Sequence, residues 1–184
     1  MGRPHATWVQ PNHVHGTRVL AAFDGTRHGS DADGSATTRS DLALLAIGAD
    51  CAPIAIANDT AGAAIHAGWR GAADGVVAAG VAAVRAIGSG PVRAVVGPCV
   101  CAAHYEFGAD LLDELAARLG PGVVARSESG APAFDLRAAI VAALGAADVT
   151  EVEVLDVCTV ESPDHYSFRR DGTTGRHGVV VMVR

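Results

Sequence analysis

Side chains that bind soft or borderline metal ions occur in three short stretches of the sequence. These are "HVHG" with His13 and His15, "ADC" with Asp50 and Cys51, and "HAGWRG" with His66. Catalytic zinc sites use three protein ligands, imidazole and thiolate among them, and leave one position open. A His, a Cys and a His on neighbouring strands would satisfy that rule. The spacing alone leaves the alternative open that Cys51 is a buried core thiol and His66 a hydrogen-bonded core residue.

The segments around these stretches are predicted to be buried strands. Residues 42–50, 52–59 and 63–67 are near-continuous apolar runs of strand length, and only Cys51 separates the first two. Such runs are typical of strands that are covered on both faces of a sheet. The sequence predicts further strands over residues 17–23, 91–96, 151–157 and 178–183.

Helical periodicity and polar loops fill the rest of the chain. Apolar residues recur at helical spacing over 73–87 and 109–120, and Asp135 is a plausible N-cap for a third helix that ends at Gly145. The stretches 24–41, 97–108 and 158–176 are irregular and polar, and the first is too long for a simple turn, so it is a candidate functional loop. The pattern predicts one α+β domain with its unusual residues at strand ends and in loops.

The composition excludes several classes of function. The chain has 184 residues, of which 49% are hydrophobic and 18% charged, which is typical of a globular protein. A net charge of -6 provides no basic field for non-specific nucleic-acid binding. All 14 cationic side chains are Arg. The absence of Lys excludes Schiff-base chemistry and the lysine-bearing phosphate loop.

Hydropathy and cysteine content suggest where the protein works. No apolar run approaches the roughly 20 residues that span a bilayer, and the first residues lack the apolar core of a signal peptide. We therefore expect a cytoplasmic protein with no membrane partner, in which cysteines are thiols or ligands. Only Cys99 and Cys101 are close together, as C-x-C, and no second cysteine pair completes a zinc-ribbon spacing.

The order of seven motifs closely resembles that of the YfiH-like family, also called multicopper polyphenol oxidases or laccase-domain proteins. The motifs are "HGTRV", "ADCAPI", "AAIHAGWRG", "VGPCV", "HYEFG", "DVCT" and "YSFRRDGTTGR". The resemblance runs from about residue 13 to the C-terminus. It implies a layered α/β/β/α sandwich, so we expect residues 1–184 to form a single catalytic domain.

The resemblance also implies a chemistry. It implies a zinc-dependent purine nucleoside phosphorylase that cleaves adenosine, inosine, guanosine and methylthioadenosine with phosphate and that also deaminates adenosine. The implied zinc ligands are His15, Cys51 and His66, of which Cys51 and His66 are also expected to be catalytic. Two departures stand out: family members begin some tens of residues earlier, and His13 replaces the Gln that the family has two residues before the motif histidine.

Arginine is the expected phosphate ligand, because no other side-chain cation is available at neutral pH. Arg70 is the first candidate, as a catalytic and substrate-binding residue, because it lies closest in sequence to His66. Arg169 and Arg170 are further substrate-binding candidates, and Arg176 lies in the same motif. The alternative is that "RRDG" is a solvated turn.

Several assignments are left open by the residues. Asp50 could hold His66 in place as an outer carboxylate or cap a turn, and Cys99, Cys101 and Cys158 could line the pocket or be small buried residues.

Three rival functions are consistent with parts of this pattern. The strongest is a metal-free cysteine hydrolase or deamidase, with Cys51 as nucleophile and His66 as base. Copper-dependent polyphenol oxidation is weaker, because multinuclear copper needs many histidines, and four of the eight here lie outside any motif. The third is a binding protein that has kept the fold without catalysis. Metal analysis separates the first from a zinc enzyme, because a hydrolase of that type needs no zinc.

Overall fold

A computed structural model describes residues 6–24 and 27–184. Its larger sheet is mixed and has six strands, β2 (Val19–Ala21), β3 (Gly34–Thr37), β5 (Ala52–Ala57), β6 (Gly62–Ala67), β7 (Arg93–Val96) and β10 (Glu151–Val154). They lie in the order β10-β7-β5-β6-β3-β2. The apolar strands β5 and β6 are central and antiparallel, so that Pro53 pairs with His66 and Ala52 with Ala67. The predicted buried strands are thus confirmed.

The smaller sheet packs against the larger one. It consists of β1 (Thr7–Val9), β4 (Leu42–Gly48) and β11 (His177–Val181), in the order β1-β4-β11. A compact apolar cluster that includes Val9, Leu44, Ala64 and Val181 joins residues of both sheets. Because β4 and β5 belong to different sheets, the turn between them, which carries Asp50 and Cys51, lies where the chain passes from one sheet to the other.

The described residues also form five α-helices: α1 (Trp69–Asp74), α2 (Val76–Ile87), α3 (Ala109–Leu119), α4 (Leu136–Ala146) and α5 (Phe168–Asp171). The helix predicted over 73–87 is two helices, because Gly75 adopts a left-handed conformation, with φ of 101°, between α1 and α2. Asp135 caps α4 as predicted, since its side chain accepts a hydrogen bond from the Ala138 N–H at 2.9 Å.

The structure contains strands that the sequence did not predict, one of them inside a predicted irregular stretch. Within 24–41, of which residues 25–26 lie outside the described part of the chain, β3 is fully buried beside β6. Its sequence, "GSAT", has no apolar alternation, so periodicity could not predict it. A small hairpin of β8 (Val124–Arg126) and β9 (Pro132–Phe134) was missed for the same reason.

The predicted fold class is confirmed: the chain forms a single α+β domain with mixed sheets in layers. The main core lies between the larger sheet and the helices, where Val77, Val81 and Val84 of α2 and Ile140 of α4 are buried. Within the described residues, no helix has the length and apolar character needed to cross a bilayer.

Candidate functional site

A cavity of about 720 Å³ opens where the chain passes between the two sheets. Its wall combines the segment before β2, the β4–β5 turn, the end of β6 and the C-terminal loops. Ligand pockets for small molecules typically have volumes of roughly 300–1,000 Å³, so the cavity is large enough for a nucleoside. Among the residues that line it are His13, His15, Asp50, Cys51, His66, Tyr105, Phe168, Arg169 and Arg176.

His15, Cys51 and His66 meet in the wall of this cavity. One ligand atom from each lies within 4.8 Å of the other two, and His15 Nε2 is 3.8 Å from Cys51 Sγ. Cys51 directly precedes β5, and His66 lies on the neighbouring strand β6. His15 reaches them from the preceding loop, where its backbone adopts the left-handed region with φ of 61°. This conformation is uncommon for a residue other than glycine.

A carboxylate that the sequence did not single out holds both histidines in place. Asp33, fully buried just before β3, approaches His66 Nδ1 with Oδ1 at 3.0 Å. The same carboxylate accepts hydrogen bonds from the backbone N–H groups of His15 (2.8 Å) and Gly16 (2.6 Å). Because a carboxylate can only accept, His66 Nδ1 carries a proton in this contact, and its Nε2 is available to a metal ion when the ring is neutral.

The sequence left open whether Asp50 orients His66 or caps a turn, and its side-chain hydrogen bonds are made to the C-terminal loops. Its side chain accepts hydrogen bonds from Thr159 Oγ1 (2.6 Å) and from the backbone N–H of Arg169 (2.7 Å). Its backbone has φ of 86°, and its carbonyl accepts from the Val100 N–H at 3.0 Å. Asp50 thereby fixes the turn that presents Cys51 and joins it to the C-terminal loops.

Burial determines the protonation of the groups around the cluster. Desolvation raises the pKa of the Cys51 thiol to about 12, and the nearby Asp50 adds to this effect. Desolvation and the nearby His66 lower the pKa of His15. In the absence of a metal ion, Cys51 is therefore a protonated thiol at neutral pH, which is a poor nucleophile.

His13 lies against the cluster without being part of the three-residue group. Its ring stacks on His66, with centroids 4.4 Å apart and planes 1° from parallel. Burial, followed by the nearby His66, lowers its pKa to about 4. His13 is therefore neutral at physiological pH, and its buried Nε2 has no hydrogen-bond partner among the described residues.

The four candidate arginines are divided between three environments. Arg169 and Arg176 line the cavity, and the Arg169 guanidinium lies 4.4 Å from the centroid of Tyr105. Arg170 instead bonds Asp171 and backbone carbonyls of the loop from Thr159 to His165, so its donors are used to hold that loop. The structure thus brings Arg169 into the cavity but not Arg170.

Arg70 lies outside the cavity lining. It is exposed on α1, where its guanidinium packs over Trp69 at 4.3 Å and borders a separate groove with Arg118. Although Arg70 is close to His66 in sequence, α1 begins immediately after Gly68 and directs its side chain away from the cavity. Its positive charge still contributes to lowering the pKa of His15.

Gly68 permits the close packing of the cluster. A Cβ atom at this position would lie 3.0 Å from both Cys51 Sγ and His15 Cδ2. The backbone itself is unstrained, with φ of -86°, so lack of space alone is the reason for glycine at this position.

Comparisons with known proteins support the resemblance. A family described as multi-copper polyphenol oxidoreductase laccase matches residues 1–184. A protein of Streptomyces griseus named purine nucleoside phosphorylase is 41% identical over 181 residues, which cover 94% of this chain and 72% of that protein.

Solved structures show the same fold. A Neisseria meningitidis protein has a TM-score of 0.83 and 32% identity, with 93% of this chain and 72% of that chain covered. The hypothetical protein YfiH of Bacillus licheniformis has a TM-score of 0.80 and 28% identity, with 92% and 72% covered. The chain therefore belongs to the YfiH family of laccase-type multicopper polyphenol oxidoreductases, whose relatives include proteins named purine nucleoside phosphorylase.

Proposed function

We propose that the protein is a zinc-dependent purine nucleoside phosphorylase with a second activity as an adenosine deaminase. The observation that carries this proposal is the meeting of His15, Cys51 and His66 in the wall of a nucleoside-sized cavity that also contains Arg169 and Arg176. The names of the related proteins support the phosphorylase assignment. Adenosine, inosine, guanosine and methylthioadenosine are the proposed nucleosides.

The donor set fits zinc. Two imidazole nitrogens and one sulfur are the ligand types of catalytic zinc sites, and three protein ligands leave a position for water or substrate. Asp33 supplies the outer carboxylate that commonly orients a metal-bound histidine. A zinc ion in this site would act as a Lewis acid and lower the pKa of a bound water. Copper, which binds the same donor types, is the less favoured alternative.

Phosphate binding is assigned to the arginines of the cavity. In phosphorolysis a phosphate oxygen forms a bond to C1′ of the ribose, the bond from C1′ to the purine nitrogen breaks, and its electron pair leaves with the base. Arg169 and Arg176 line the cavity, and in this proposal they bind the anionic co-substrate by charge-assisted hydrogen bonds. Arg70 is the remaining candidate, and because it lies outside the cavity lining it would act only through its positive charge, which already affects His15.

The purine base is assigned to the aromatic part of the wall. Tyr105 is buried beneath Arg169, and Phe168 lines the cavity with 57% of its surface exposed. A flat exposed ring is suited to stacking on a purine. His13, which is neutral, stacks on His66 beside this part of the wall.

The test is to incubate purified protein with inosine in the presence and absence of inorganic phosphate and to identify the products. We expect hypoxanthine and ribose 1-phosphate in equal amounts, and no cleavage without phosphate. Separate incubation with adenosine should give inosine and ammonia. Cleavage that is independent of phosphate, or no reaction with any of the four nucleosides, would contradict the proposal.

A metal-free cysteine hydrolase is the alternative that one observation favours, namely the 3.8 Å separation of Cys51 Sγ and His15 Nε2. The imidazole in contact with the sulfur would then be His15, while His66, the base expected from the sequence, would be oriented by Asp33 at Nδ1. The high pKa of the buried thiol weighs against this alternative. Amide or ester hydrolysis that survives complete removal of metal would favour it.

A further inference from the structure

A second group of metal-binding side chains lies outside the cavity. Cys101, His104, Cys158 and Glu161 each place one ligand atom within 4.8 Å of the other three. These residues form two pairs of the same spacing, "CAAH" over 101–104 and "CTVE" over 158–161. Paired ligands separated by two residues are typical of structural zinc sites, and each pair here contains a single cysteine.

The backbone brings the two pairs together. Cys99 and Cys158 form a parallel β-bridge, in which the Thr159 N–H donates to the Cys99 carbonyl at 3.2 Å. Each pair then closes a tight turn: the His104 N–H donates to the Cys101 carbonyl at 3.1 Å, and the Ser162 N–H donates to the Cys158 carbonyl at 3.0 Å. Both turns fold the second member of the pair back toward its cysteine, so the cluster follows from main-chain structure and not from chance contacts on the surface.

The side chains converge on one another. The Cys101 thiol donates to Glu161 Oε1 at 3.3 Å, and His104 Nε2 lies 3.0 Å from the same oxygen. The backbone N–H of Cys101 points at Cys158 Sγ at 3.3 Å, which is the type of hydrogen bond that a thiolate ligand accepts. Four potential ligands thus surround a small volume that is partly shielded, since Cys158 is buried and the His104 side chain is 21% exposed.

We propose that Cys101, His104, Cys158 and Glu161 form a second, structural zinc site. Two thiolates, one imidazole and one carboxylate give four protein ligands, the number found in closed structural sites that leave no position for substrate. The cationic side chain of Arg137, which donates to the Cys99 carbonyl at 3.3 Å, lies beside the cluster and partly balances the negative charge of the ligands. On binding, the ion displaces the thiol protons to solvent, and no redox change is involved.

Such an ion would connect the loops that build the cavity. Thr159, next to Cys158, donates to Asp50, and Tyr105, next to His104, packs against Arg169. The second ion would therefore fix the position of the Cys51 turn relative to the Arg169 loop, although the ion itself lies outside the cavity. This inference does not depend on the proposed reaction, because it concerns the stability of the loops.

The test is the zinc content of the purified protein and of variants. Wild-type protein should carry about two zinc ions per chain, and Cys101→Ser and His104→Ala should each retain about one. Cys99→Ser is the matched control, because Cys99 is a buried neighbour outside the cluster, and it should keep both ions. His66→Ala should also retain about one ion, namely the one held by the second cluster and not the one in the cavity wall.

Cobalt substitution distinguishes the two ions. In His66→Ala the remaining cobalt should show the charge-transfer absorption of two thiolate ligands. In His104→Ala the remaining cobalt should show the absorption of one thiolate ligand. Zinc content that is unchanged by both Cys101→Ser and His104→Ala would overturn the proposal. A disulfide between Cys101 and Cys158, seen as resistance of both to alkylation before reduction, would also overturn it. If His66→Ala keeps both ions while His104→Ala loses one, this site stands and the catalytic zinc assignment falls.

Discussion

The carboxylate of Asp33 lies 3.0 Å from Nδ1 of His66, and both side chains are buried. The contact joins β6 to the residue that precedes β3, and it fixes both the orientation and the protonation of an imidazole at the edge of the cavity. The candidate zinc site thus depends on a residue outside the ligand set.

Asp33→Asn tests this dependence. An amide at this position would direct its NH₂ group at one of the donors that now face the carboxylate, so the orientation of the histidines would be disturbed. We expect zinc affinity at the cavity to fall by roughly 10–100-fold, as is usual for residues that orient metal-bound histidines. Competition with a chelator measures the affinity. Asp31→Asn, an exposed neighbour that bonds Asn12, is the control and should have wild-type affinity.

Arg169→Ala and Arg176→Ala should impair phosphorolysis more than deamination, because only the first reaction uses an anionic co-substrate. Loss of one charge-assisted hydrogen bond costs roughly 1.5–3 kcal/mol, or about tenfold to a hundredfold in rate. Initial rates with inosine and adenosine provide the comparison, and the exposed Arg85 of α2 supplies a control substitution.

Arg70→Ala belongs in the same series. Since Arg70 packs on Trp69 outside the cavity, we expect a smaller effect on phosphorolysis than for Arg169→Ala. If Arg70→Ala alone abolished phosphate dependence, Arg70 would be the phosphate ligand and the assignment to Arg169 and Arg176 would be wrong.

Gly68→Ala tests the packing of the ligand cluster. The new methyl group would meet Cys51 Sγ and His15 Cδ2 at 3.0 Å and displace one of them. Displacements of this kind reduce rates by up to about 100-fold, and Gly68→Val should reduce the rate further. Inosine turnover and thermal unfolding are measured side by side.

Two glycines provide controls for that experiment. Gly145→Ala, where a Cβ meets nothing within 4 Å, should leave inosine turnover unchanged. Gly80→Ala places a Cβ against Ile65 in the core and should lower the melting temperature. Near-normal turnover in Gly68→Val would show that the motif around Gly68 is a packing element only.

The sequence predicted the strands that carry the site but not all of its parts. The apolar runs of β5 and β6 identify two adjacent strands, and they place Cys51 and His66 near each other. The long loop that brings His15 to them has no periodic pattern, so its position came from the family resemblance. The sequence could not predict the role of Asp33, because β3 consists of small and polar residues whose burial depends on the neighbouring strands β2 and β6.

The direction of side chains after a turn was equally unpredictable. Arg70 follows His66 by four residues, but the start of α1 at Trp69 rotates it out of the cavity. Arg169, more than 100 positions away in sequence, enters the cavity because Asp50 binds its backbone N–H. Local sequence patterns do not predict long-range hydrogen bonds of this type.

The most direct test of the central claim compares Cys51→Ser with Cys99→Ser. Both replace the sulfur of one thiol by oxygen, half-buried at Cys51 and buried at Cys99, but only Cys51 lies in the cavity wall with His15 and His66. Zinc content and phosphate-dependent cleavage of inosine are measured on the same samples. The account predicts that Cys51→Ser loses about one zinc ion per chain together with phosphorolysis. Cys99→Ser should keep the zinc content and the phosphorolysis of the wild-type protein. Phosphorolysis at the wild-type rate in a Cys51→Ser protein that lacks this zinc would contradict it.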